Sequence, residues 1–298
     1  MKKPDSIGWK DVAWNGIRFQ APLDWEIGRI GIRYLMLEND TGPVLEIKWG
    51  PVRGHFSHRT QLRRLARLQK KRLGTSVTAT PLPPAWKEAL SAYQIFGFSW
   101  AGETIAGSGV ISYCPSCRNA SLIQFYHKDF RTVGKTAQRL LASFRDPCRN
   151  EPVLWCIFDI RAVIPEKFRL VSYRFEPGKF ELIFSAKGQK ITLYRWGPAS
   201  VFLSRRDLIR FAETMVRLPP GEPQDAIPTG PKAIEWEESP SPASLRRWWN
   251  PMKAKSVFHR FRIWHLEEKN RILGIQAEGK KPFDPCIFEK ICAEYESV

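Results

Sequence analysis

The chain has 298 residues, 43% of them apolar and 12% aromatic, which excludes a disordered chain and suits two ordinary domains or one large one. Its 47 Lys and Arg against 30 Asp and Glu leave a formal charge of +17, which favours an anionic partner: nucleic acid, an acidic protein or a membrane surface. The longest apolar run, 153–158, is far too short to span a bilayer, and six cysteines in this length are no disulfide scaffold.

In chain order, the opening MKKPDSIGWKD has two lysines but no apolar run behind them, so no secretory signal is expected and a cytoplasmic, reducing setting is. IRFQAPLDW at 17–25 then aligns without gaps on IRAVIPEKF at 160–168, each a short strand ended by a proline that cannot donate to a ladder. RYLMLEND and VLEIKW follow as strands and are matched by KFELIFSAKG and KITLYRW. Both runs end in the same corner, KWGP at 48–51 and RWGP at 195–198. Trp49 and Trp196 are therefore expected at equivalent places, capping a core while Gly and Pro turn the chain into a helix.

The first of those helices is predicted over 58–73, from a cap at Ser57 to Gly74. Its counterpart opens at a capping box, Ser204 and Asp207, and closes before Pro219. Pro-rich connections come next: TPLPPAW in the first half, and a long acidic stretch with Glu222, Asp225, Glu235, Glu237 and Glu238 in the second. Strands return as YQIFGFSW and VFHRFRIW. Then comes the hairpin GVISYCPSCRNASLIQFYH, or a shortened GIQAEGKKPFDP that sets GKKP opposite CPSC. Helices TVGKTAQRLLASF and PCIFEKICAEYE close the halves. These elements predict an α+β fold of two tandem copies of a mainly antiparallel sheet flanked by helices. The first copy, 9–147, carries the basic helix and the Cys-x-x-Cys hairpin, and the second, 153–298, the long acidic connection.

IRFQAPLDWEI at 17–27, with the element order of both halves, resembles the start of PsbP-like domains. Those are antiparallel sheets sandwiched by helices, found in photosystem accessory proteins and a Ran-binding relative. The resemblance implies a non-enzymatic accessory or partner-binding role and supplies no site residue.

From Ile47 to Lys87 there are ten Lys and Arg and no Asp or Glu. On a helix, Leu62, Leu65, Ala66 and Leu73 fall on one side, while Arg63, Arg64, Arg67, Lys70 and Lys71 gather on the opposite arc. Like charges on one face repel, so an anionic partner is expected there, RNA or DNA ahead of an acidic protein. The alternative is a solvated face balanced by the protein's own acidic connection. A second cationic stretch, 246–265, interleaves Trp248, Trp249 and Phe258 with Arg246, Arg247, Lys253 and Lys255, a pattern that can stack single-stranded bases. Its competing reading is an ordinary strand with Phe261 and Ile263 inward.

Cys114 and Cys117, in CPSC, have the spacing of a zinc knuckle and also of a redox dithiol, or are plain turn cysteines. A structural zinc needs more ligands; Cys148, Cys156, His127 or the pair His55 and His58 are the candidates. Redox use is disfavoured because strand-like sequence flanks the pair, with no helix N-terminus to lower a thiol pKa. There is no Walker loop, GxGxxG, HExxH or nucleophile elbow. Two functions from different classes follow: a binding or adaptor protein with a basic surface, or a metal- or thiol-dependent enzyme centred on Cys114 and Cys117.

Overall fold

The computed structural model describes residues 8–127, 130–146, 151–216, 218, 223–226, 233–238 and 258–298. Two compact units divide at Phe158 and Asp159. The first contains β1 (Trp9–Trp14), β2 (Ile17–Pro22), β3 (Glu26–Gly31), β4 (Tyr34–Asn39), β5 (Gly42–Pro51), α1 (His58–Leu73) and β6 (Val77–Ala79). It continues with α2 (Pro84–Ala89), β7 (Gln94–Ala101), β8 (Ala106–Cys114), β9 (Asn119–His127), α3 (Phe130–Ser143) and β10 (Val153–Ile157). The second has β11 (Ile160–Ile164), β12 (Arg169–Glu176), β13 (Lys179–Ala186), β14 (Gln189–Trp196), α4 (Ala199–Phe202) and α5 (Leu208–Met215). Then come β15 (Gln224–Ala226), β16 (Ala233–Glu238), β17 (Phe258–Leu266), β18 (Arg271–Gly279), α6 (Pro285–Ala293) and β19 (Glu296–Ser297).

The α+β expectation is corrected: among the described residues 50% are strand and 21% helical, so the protein is mainly antiparallel β. In the second unit the helices expected to flank the sheet are short, of 4, 8 and 9 residues, whereas α1 runs the full 16. The Ser204 capping box does not form, because Ser204 Oγ donates to Val201 O and Asp207 is the cap, accepting from Arg210 N. The expected helix thus shrinks to α5, and the four-residue α4 precedes it. Residues 153–157, expected to open the second half, belong to the first unit, where Cys156 of β10 pairs with Ala13 of β1.

Each unit holds a seven-stranded sheet, in order β3-β4-β5-β9-β8-β7-β6 and β12-β13-β14-β18-β17-β16-β15, and the two orders correspond strand for strand. Tight turns set the registers. Asn15 and Gly16 (φ 46° and 97°) close β1 on β2, and Lys187 and Gly188 (φ 41° and 82°) close β13 on β14, the two-residue turns whose twist matches paired strands. In the first unit, Leu65 of α1 packs on Phe98, Trp100 and Ile111 on one face of the sheet. Trp86 of α2 meets Phe125 at 5.3 Å between ring centroids on the other, with Leu140 and Leu141 of α3 fully buried. In the second, Phe211 and Ala212 of α5 pack on Trp196, Phe261 and Ile263.

The tryptophan corners differ by one residue of register. Four-residue turns join β8 to β9 and β17 to β18, closed by Cys114↔Asn119 and Leu266↔Arg271, so Leu122 corresponds to Gly274. Cys-Pro-Ser-Cys is therefore matched by Leu266 to Lys269, and not by 279–282 as the sequence alignment has it. Leu122 pairs with Lys48, and Gly274 with Tyr194. Counting along β5 and β14, Trp49 matches Arg195 while Gly50 matches Trp196. A one-residue slip turns a side chain to the opposite face. Trp196 lies beneath α5, its ring edge-on to Phe211 at 5.2 Å, whereas Trp49 shares the face of Leu45 and Ile47 and donates from Nε1 to Asn15 O at 3.2 Å.

Candidate functional site

Ser57 caps α1 by accepting from Thr60 N, and Gly74 ends it in the left-handed region (φ 69°) with its N–H on Lys70 O. Leu65 and Gln69 form the buried side, so the helical period leaves Arg63, Arg64, Arg67, Lys70 and Lys71 exposed. No ion pair among the described residues engages any of the five. Of the acids proposed to balance them, Glu235 is held by Arg260 and Arg262, and Glu222 lies outside the described residues.

Between α1 and the sheet runs a groove of 720 Å³, floored by Leu65 and Leu122 and rimmed by Arg53, His55, Arg64 and Arg67; among the described residues no carboxylate lines it. Gly50 is also at its wall, and a Cβ built there would meet only Arg33, at 3.6 Å. Since Gly50 matches Trp196, the first unit leaves open under α1 the place that an indole fills under α5. Sequence inspection missed this, because the repeated Trp-Gly-Pro aligns the two tryptophans and hides the slip.

Trp248, Trp249, Arg246, Arg247, Lys253 and Lys255 lie outside the described residues. The rest of that stretch is β17, with Phe261 and Ile263 fully buried as a strand requires. Arg260 and Arg262 of β17 are consumed internally. Arg262 donates to Glu235 at 2.7 Å and to Glu289 of α6 at 2.6 Å, while Arg260 pairs with both acids and lies 4.3 Å from the Phe288 ring. Hydrogen bonds from Arg262 hold the Glu289 carboxyl below its usual range.

Cys114 ends β8 and Cys117 sits in the four-residue turn before β9. Asp146, just past α3, completes a cluster with both thiols, the three donor atoms all within 4.8 Å of one another. Cys117 Sγ donates to Asp146 Oδ2 at 3.0 Å, and Tyr93 Oη donates to Oδ1 at 3.3 Å. Burial, then the bond to Asp146, raises the Cys117 thiol pKa, and burial raises the Asp146 carboxyl. The ligands expected from sequence are elsewhere: His127 contacts Ser108, Cys156 bonds Asp11 O, His58 contacts Gln94 O and His55 is in the groove. Cys148 lies outside the described residues. Asp146 and Tyr93 carry no sequence signal, because only the folded chain brings them to the turn. In α6, burial pushes the Cys292 thiol up to about 12, which makes it an inert packing residue.

No family model and no curated protein matches the chain. Among solved structures, a protein from Bacteroides thetaiotaomicron VPI-5482 aligns at 11% identity over 49% of this chain and 49% of its own, with a TM-score of 0.28, so the chain spans about half the length of that protein. The immunity protein TplEi of T6SS from Pseudomonas aeruginosa, solved with an "L" peptide, aligns at 12% identity over 98% of this chain and 99% of its own, TM-score 0.35. The WD40 domain of SCAP from fission yeast gives 8% identity over 92% of this chain and 85% of its own, TM-score 0.13. All three scores are low. No described helix is long and apolar enough to cross a membrane.

Proposed function

We propose that the protein is a non-enzymatic binding protein of the cytoplasm that holds an anionic macromolecule, RNA or DNA, on the cationic face of α1. One observation carries the reading: among the described residues, five exposed cations stand on one helix with no ion pair, beside a groove with no carboxylate in its lining. Packing does not call for them, because the buried side of α1 is Leu65 and Gln69. Guanidinium and ammonium groups at this density displace counterions from phosphates. The groove beside Gly50 adds room for one unstacked base between arginines, and bases on such platforms bind with little sequence preference. The role agrees with what the PsbP-like resemblance implies.

The test is equilibrium binding of duplex DNA and single-stranded RNA at low salt. Arg63→Gln/Arg67→Gln/Lys70→Gln should lose most of the affinity, and Arg205→Gln/Arg206→Gln/Arg210→Gln should keep it. Parent protein that binds neither nucleic acid, or a first variant that binds as the parent does, ends the proposal. In that case an acidic protein becomes the partner to seek.

A further inference from the structure

We infer that Cys114, Cys117 and Asp146 form a binding site for a single Zn²⁺, which ties the β8–β9 turn to the segment after α3. Two thiolates and a carboxylate are a donor set of borderline softness that suits zinc ahead of magnesium or calcium. In a tetrahedral site with Zn–S near 2.3 Å, two sulfurs sit about 3.8 Å apart. The three donors already lie within 4.8 Å of one another, so side-chain rotations of a small fraction of their reach bring them to one ion.

Three features point to a cation rather than to a plain turn. Asp146 is 7% exposed and has no ion pair among the described residues, so its carboxylate is buried among neutral donors: the Cys117 thiol, the Tyr93 phenol and its own backbone N–H. A buried carboxylate without a positive partner is costly, and a bound dication supplies that partner. Secondly, Tyr93 donates to Oδ1 while Cys117 meets Oδ2. The carboxylate is thus oriented from outside, as ligands of metal centres are, with one oxygen facing the thiols. Thirdly, Cys-x-x-Cys spans a four-residue turn between paired strands, the setting of a zinc knuckle.

Binding replaces two S–H bonds by two S–Zn bonds, and both protons leave to solvent. Cys117 is half-buried beside exposed Pro115 and Ser116, so the fourth position faces water. At the corresponding turn of the second unit Leu266 and Lys269 stand where Cys114 and Cys117 stand in the first.

The experiment uses the full chain, reduced and stripped with a chelator, titrated with Zn²⁺ against a chromophoric competitor and separately with Co²⁺. One equivalent of zinc should bind, and cobalt should give thiolate charge-transfer absorption with the strong visible bands of a tetrahedral ion. Cys114→Ser/Cys117→Ser should abolish both, Asp146→Asn should weaken zinc by more than about tenfold, and Tyr93→Phe by about tenfold. Exposed Cys286→Ser should change nothing. Reduced wild-type protein that binds no stoichiometric zinc, or whose cobalt form lacks the sulfur band, overturns the site without recourse to any variant. Folded Asp146→Asn with wild-type affinity overturns it equally. Failure here leaves the reading of α1 untouched, because no residue is shared.

Discussion

Glu235→Gln is a direct probe of how the second unit spends its arginines. Glu235 accepts from Nε of Arg260 and, at 2.7 Å, from Nε of Arg262, and its side chain is 12% exposed. Glutamine keeps one acceptor oxygen and turns an NH₂ toward a guanidinium, so one charge-assisted bond is lost and the other weakened. At about 1.5–3 kcal/mol for a bond to a charged group, and about half that once one partner is neutral, the loss is about 2–4 kcal/mol. Glu289 meets the same arginines with a side chain 50% exposed, where water replaces the carboxylate, so Glu289→Gln should cost no more than about 1 kcal/mol. Urea unfolding of wild type and both variants, followed by tryptophan fluorescence, measures the difference. For a unit of this size the larger loss corresponds to a melting shift of about 6–12 °C. Equal costs for the two variants, or less than about 1 kcal/mol for Glu235→Gln, refute the assignment of this cluster as a buried ion-pair network.

Three further outcomes are expected. Because its folded pKa is depressed, Glu289 contributes stability that is complete above its unfolded value of about 4.3 and is lost as pH falls through the lower folded value; the gap between wild type and Glu289→Gln should therefore close toward acid, and a gap constant from about pH 7 to about pH 3 contradicts this. Gly109→Ala places a Cβ 2.2 Å from the Ile123 carbonyl oxygen and should destabilise by about 1–3 kcal/mol or more, whereas Gly134→Ala, with open space around it in α3, should be neutral or stabilise by up to about 1 kcal/mol; calorimetric melting distinguishes them. Gly50→Trp, which fills the groove as Trp196 fills its counterpart, should weaken single-stranded binding several-fold while leaving the salt slope unchanged, and unaltered single-strand affinity removes the base from the groove.

Local chemistry was the legible part of this fold. Ser57, the leucines at 62 and 65 and Gly74 define α1 within the chain itself, and hairpins whose strands are neighbours in sequence, such as β8 and β9, announce themselves by alternation around a turn. Pairings that close over long separations, such as β5 with β9 and β14 with β18, leave no local trace. The α+β class was misjudged for a related reason. The 204–218 stretch has helical periodicity, yet Asp207 rather than Ser204 takes the cap and the helix covers only 208–215. Repeat arithmetic failed at Trp49 and Trp196, because matching letters do not fix register against a neighbouring strand. At the cysteine cluster the sequence shows two donors, while Asp146 arrives only through the packing of α3 and Tyr93.

The central claim is that α1 holds phosphates, and the dependence of duplex DNA affinity on salt tests it most directly. If all five cations contact phosphates, log K should fall against log salt with a slope of about −4.5, at about 0.9 per contact. Arg63→Gln/Arg67→Gln/Lys70→Gln should reduce that slope to about −1.8, since two contacts remain, while Arg205→Gln/Arg206→Gln/Arg210→Gln should leave it near the parent value. An equal slope for parent and first variant, or a parent affinity indifferent to salt, contradicts the claim.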